Sequence, residues 1–139
     1  MADTPVRVGL LVDGEPSDRQ AAAREWAASR YDVETLDPAQ VGQSSPHDVL
    51  WWHREESLTT VDDRIASGLA EYVRSGGGLL LSLRAVGAVA PLGFEPVSPD
   101  AVGTRTVTAP TGPLWRAVYD DHPAVDPFDD LRTPIAEHG

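Results

Sequence analysis

Between Val61 and Leu83 the chain carries a helical stripe, three consecutive glycines and a short apolar run, and few architectures accept that order. Val61, Ile65, Leu69, Tyr72 and Val73 recur at three- and four-residue spacing, so a helix starting at Thr60 to Asp63 presents them on one face. Gly76 to Gly78 stop it, because glycine takes the left-handed backbone of a helix C-terminus without steric cost. Leu79 to Leu83 is too short for a helix and reads as a buried strand. A helix that turns straight into a buried strand is one half of a βαβ unit, which implies parallel strands and helices on the sheet faces.

The rest of the chain fits that frame. Val6 to Asp13 is an apolar run ending in Asp-Gly, expected as a first, central strand. Ser17 and Gln20 have capping-box spacing, and a helix is predicted from about Asp18 to Arg30 with Ala22, Ala23, Trp26 and Ala27 as its apolar face. Tyr31 to Leu36 alternates with carboxylates at Asp32 and Glu34, which suits an edge strand. Asp37-Pro38 predicts a single helical turn through Val41. Asp48 to His53 reads as a strand buried on both faces, with Trp51 and Trp52 on opposite sides. Leu81 is expected to be fully buried in the fourth strand.

Toward the end the expectations are a short helix over Ala85 to Leu92, a hairpin strand at Thr104 to Thr108, and a helix through Leu114 to Tyr119 that carries Trp115 on its surface. Asp120 to Pro127 reads as loop. The prediction is one α/β domain over 1–139, three-layered and flavodoxin-like, with a mainly parallel sheet in the order 2-1-3-4. Residues 129–139 are expected to be a loosely held tail or the start of a larger parent protein. Val12 to Ser17 has one glycine where a dinucleotide fingerprint needs three, so no nucleotide cofactor is expected, nor any other.

Four pieces in order, Val6 to Asp13, Asp48 to His53, Tyr72 to Leu83 and Asp121-His-Pro-Ala124, resemble the class I glutamine amidotransferase-like superfamily, in particular its ThuA-like and β-galactosidase trimerisation-like branches. The resemblance covers about residues 5 to 128. It implies a catalytic cysteine at the tight turn after the glycine-rich strand, followed later by a histidine and a glutamate. Here that turn reads Leu83-Arg84-Ala85, and the chain has no cysteine. Glutamine hydrolysis by that mechanism is therefore excluded. His122 precedes a proline as the family's catalytic histidine does, but the ThuA-like branch has a non-catalytic His-Pro there as well, so the role is not carried over.

In a parallel sheet ligands collect at the carboxyl ends of the strands. The ligand-binding candidates are accordingly Asp13, His53, Glu55 and Arg84, with His53 as the candidate general base and Arg84 as the anchor for an anionic or hydroxyl-rich ligand. A metal set drawn from His53, Glu55, Glu56, His122, Asp120 and Asp126 lacks ligand spacing, and no metal is expected. Leu80-Leu-Ser82-Leu-Arg84 lacks the flanking glycines of a nucleophile elbow, so Ser82 is expected to serve packing. The reading is a non-catalytic binding or assembly domain, with a link to carbohydrate metabolism implied by the resemblance alone. The alternative is a cysteine-independent enzyme acting on a sugar or small polar metabolite. Expected partners are a second copy or partner domain, or a small polar or sugar ligand.

Charge narrows the setting. The net charge is -11, and every one of the 11 basic residues is arginine. Such self-repulsion costs little in molar salt, where the Debye length falls to about 3 Å. The composition points to a halophile, of haloarchaeal type. Without a basic stripe nucleic acid is not an expected partner. No apolar run approaches the roughly 20 residues of a membrane span, and the absence of cysteine favours a cytoplasmic protein. The melting temperature should climb steeply as KCl is raised from about 0.1 M to a few molar, where exposed charges are screened. A melting temperature independent of KCl would defeat the halophile assignment.

Overall fold

The computed structural model describes residues 4–99 apart from 57 and 59, together with the backbone of 114–115 and 133–134. The chain divides into two compact units, Met1–Ala101 and Val102–Gly139. The first contains strand β1 (Arg7–Leu11), helix α1 (Asp18–Ala28), strand β2 (Asp32–Leu36), a 3₁₀ turn (Pro38–Gln40), strand β3 (Val49–Arg54), helix α2 (Asp63–Arg74), strand β4 (Gly78–Leu83) and a second 3₁₀ turn (Arg84–Ala88). The four strands form one parallel sheet in the order β2-β1-β3-β4, a flavodoxin-like α/β arrangement. Its order is the one read from the sequence. Because the direction of winding reverses after β1, crossovers of one hand put α1 and α2 on opposite faces. Among the described residues no helix is long and apolar enough to cross a membrane.

The two faces differ. On the α2 side, Leu11, Leu50, Trp52, Leu69 and Tyr72 are sealed into a single core with Ala85, Ala88 and Leu92. Val61, Ile65 and Val73, the remaining members of the α2 stripe, pack against it, as does Leu36. Leu81 is only partly buried there, contrary to expectation, since it lies on the outermost strand, where the sheet ends among the described residues.

Among the described residues the core stays open on the α1 side. Four strands spaced about 4.8 Å apart are wider than one helix of about 10 Å can cover. The apolar face predicted for α1 is corrected accordingly: Ala27 is buried and Ala23 is half-buried, but Ala22 is exposed and Trp26 is 53% exposed. The helix also stops at Ala28, two residues before Arg30. Likewise β3 is not buried on both faces. Trp52 is enclosed on the α2 side, whereas Trp51 is half-buried on the other, beside Leu80 at 50% exposure.

Local rules account for the element ends. Ser17 Oγ accepts from the Gln20 amide at 3.2 Å while Gln20 Oε1 accepts from the Ser17 amide at 3.0 Å, the reciprocal cap expected from the spacing. Asp37 caps the first 3₁₀ turn by accepting from the Ala39 amide. After α2, Gly76 has a φ of +102°, and Gly77 passes so close to the Tyr72 ring that a Cβ would stand 2.2 Å from it. The second unit has Leu114–Trp115 paired antiparallel with Thr133–Pro134. Leu114 and Trp115 are thus strand rather than the start of a helix, their backbone groups being taken up by the pairing with 133–134. The expected strand at Thr104 to Thr108 lies outside the described residues. Leu50→Ala, at a site with no exposure, should cost about 2–5 kcal/mol, against well under about 1 kcal/mol for Leu80→Ala. Urea unfolding reads both, and equal losses would show that the α1 face is as closed in solution as the other.

Candidate functional site

At the carboxyl ends of β1 and β3, where the strand order reverses, a crevice of about 160 Å³ is lined by Asp13, Glu15, Ser17, Gln20, Arg54, Glu55 and Glu56. Three of its four carboxylates are paired with arginine. The Arg54 guanidinium donates from Nη1 to Asp13 Oδ2, from Nε to the Glu56 carbonyl at 3.1 Å and from Nη2 to Glu56 Oε2 at 3.5 Å. Arg19 pairs with Glu55 at 3.0 Å. An anion entering here would meet four carboxylates and an arginine already engaged, so the crevice suits a neutral, hydroxyl-bearing or cationic ligand better. Among the described residues no group of three or more histidine, aspartate or glutamate side chains is placed to hold a metal ion.

His53 faces elsewhere. Alternation along β3 puts Trp51 and His53 on the α1 side and Trp52 and Arg54 on the α2 side. The parallel register sets His53 beside Ser82 of β4, and His53 Nδ1 lies 2.8 Å from Ser82 Oγ. Trp51 Nε1 donates to the same oxygen at 2.8 Å, and the Trp51 ring meets the His53 ring edge-to-face at 5.2 Å. The His53 carbonyl accepts from Gln20 Nε2 at 2.8 Å, so the capping residue of α1 also ties that helix to the end of β3. Burial lowers the His53 pKa from its ordinary value; the Glu55 charge partly offsets this and Arg19 adds to it. The imidazole is neutral at neutral pH.

Below this cluster on the same face runs an apolar groove of about 480 Å³, lined by Val6, Val8, Trp26, Ala27, Tyr31, Val49, Trp51 and Leu80. Trp26 stands edge-on to Trp51 with ring centroids 6.3 Å apart, and the Arg30 guanidinium lies over the Trp26 ring at 4.7 Å.

The turn after β4 has one further peculiarity. Leu83 adopts φ +56° and ψ -128°, and it is the one non-glycine residue with positive φ among those described. Strand, strained residue and short helix follow one another as in a nucleophile elbow. Leu83 occupies the apex. The sequence located the special position only to Leu83-Arg84-Ala85 and set Arg84 beside it; the backbone assigns it to Leu83, with Arg84 opening the 3₁₀ turn.

Of the residues singled out from sequence, Asp13 and Glu55 share the crevice, while His53 and Arg84 are not among the residues that line it. His122, Asp120 and Asp126 lie outside the described residues. Sequence reasoning did not find the pairing of His53 with Ser82, which depends on strand register, nor the role of Gln20, whose capping signal was read for the helix alone. No known protein family, no curated protein and no solved structure matches this chain. The strain at Leu83 is measurable by comparing two substitutions. Leu83→Gly should be more stable than Leu83→Val by about 1–3 kcal/mol, since a β-branched residue tolerates this backbone worst. Equal melting temperatures would place Leu83 in an ordinary conformation.

Proposed function

We propose that this chain is a non-catalytic, amidotransferase-like domain that acts by binding or assembly. The observation that carries the reading is Leu83. It has the positive φ of an elbow residue at the end of β4, in the segment by which the sequence resembles the amidotransferase superfamily. Its side chain offers no nucleophile. A backbone that keeps about 1–3 kcal/mol of strain at an apex without chemistry is understandable as the inheritance of a fold whose apex once reacted. The exposed groove on the α1 face supports a binding role, because a contiguous apolar surface beside tryptophan rings suits contact with a partner or ligand. A place in the carbohydrate metabolism of a halophile follows from the resemblance and the charge.

The test measures ammonia release from glutamine by the wild type and by Leu83→Cys in molar KCl, alongside sedimentation over a range of protein concentrations and melting with simple sugars. Neither protein should exceed the blank, because thiol, base and oxyanion donors act as a unit and one substitution restores only the first. Self-association weakened by Trp26→Asp, or a melting temperature raised by a sugar, supports the reading. Wild-type turnover overturns the non-catalytic part. A monomer at every concentration that no sugar stabilises overturns the binding part.

A further inference from the structure

We propose that Ser82 is a reactive serine that accepts an acyl group from an activated ester or thioester, with His53 as its base and the apolar groove as the seat of the acyl chain. The hydrogen-bond inventory leads there. A hydroxyl has one proton to give and two lone pairs to receive with. The indole Nε1 of Trp51 is a donor only, and it occupies one lone pair of Ser82 Oγ at 2.8 Å. Among the described residues this hydroxyl has two partners, and of these only His53 Nδ1, also at 2.8 Å, is able to accept its proton, in the tautomer that carries its hydrogen on Nε2. Desolvation holds the imidazole in its neutral, accepting form, against Glu55 and together with Arg19. A serine oxygen whose proton is directed at a neutral imidazole is the arrangement from which nucleophilic attack begins.

The groove supplies the ligand class. Leu80 and Ser82 are alternate residues of β4, so they lie on one face about 7 Å apart along the strand. Leu80 and Trp51 line the groove, and Trp51 touches both the groove and the hydroxyl. An acyl chain lying over Leu80, Val49 and Val8 would bring its carbonyl carbon to Ser82. In the step, Oγ bonds to that carbon and its proton passes to His53 Nδ1. The bond from the carbon to the leaving oxygen or sulfur then breaks, and the imidazolium returns the proton to the leaving group. No oxidant or reductant is involved. Acylation is stoichiometric, so it accompanies a binding role and stands independently of the amidotransferase reading.

The test is intact-mass spectrometry with peptide mapping after incubation with 4-nitrophenyl butyrate or 4-nitrophenyl acetate in molar KCl. One acyl group should appear per chain, on Ser82, faster from butyrate than from acetate. Ser82→Ala should lose it, and His53→Gln should slow it by roughly 10²-fold, the usual share of a general base. Since the base is neutral imidazole of lowered pKa, the rate should rise with pH through a midpoint below 6.5 and be level above it. Mapping on the wild type locates the adduct even if a variant folds poorly. An adduct on another residue, labelling no faster than in the urea-unfolded chain, or an unchanged rate in a folded His53→Gln would overturn the proposal.

Discussion

The packing of the Tyr72 ring over Gly77 brings three parts of the chain to one point. The ring belongs to the last turn of α2, Gly77 is the residue before β4, and the Tyr72 hydroxyl donates at 2.8 Å to the carbonyl of His47, just ahead of β3. Burial raises the Tyr72 pKa and the nearby Asp48 charge adds to it, so the phenol stays protonated and keeps that bond. The amide of Gly78 then donates to the Asp48 carbonyl, and β3 and β4 leave in fixed register from Val49 beside Gly78. Four residues later that register sets His53 beside Ser82, and one further residue sets Leu83 at the strained turn. A slip by one position would turn every side chain of β4 to the opposite face and part the imidazole from the hydroxyl.

The asymmetry of the sheet decides where chemistry is possible. Among the described residues the α2 side is filled by large side chains. Among the described residues the α1 side has one helix over four strands, and the uncovered part becomes a groove with tryptophan at its wall and a hydrogen-bonded serine and histidine at its head. The crevice at the strand ends has a different character. Three of its four carboxylates pair with Arg19 or Arg54, which clamps the loops together.

Acidity and site are separate matters in this molecule. Among the described residues the carboxylates are exposed, apart from the half-buried Glu55, and their spread follows from solvation at the surface. By contrast, His53, Ser82 and Trp51 form a small neutral cluster whose geometry is set by backbone pairing. High salt would weaken the first class of interaction and leave the second nearly untouched, because short hydrogen bonds in a partly desolvated pocket are little screened.

Periodicity and end signals, which are local, determined most of the architecture. The α2 stripe, the glycine stop, the Ser17–Gln20 cap, the Asp37 cap and the carboxylates of β2 each act over a few residues, and together they specify the element order and the sheet order 2-1-3-4. What they could not specify is what lies opposite what. The half-exposure of Trp26 and Leu80 depends on how many helices share a face. The partnership of His53 with Ser82 spans 29 residues and exists only through register. Leu83 has no unusual sequence signal, since strain at a turn is imposed by the elements it joins. Side-chain alternation along β3 divided the residues that the sequence set side by side, sending Arg54 to the crevice and His53 to Ser82 and Trp51, and only the folded sheet made that choice.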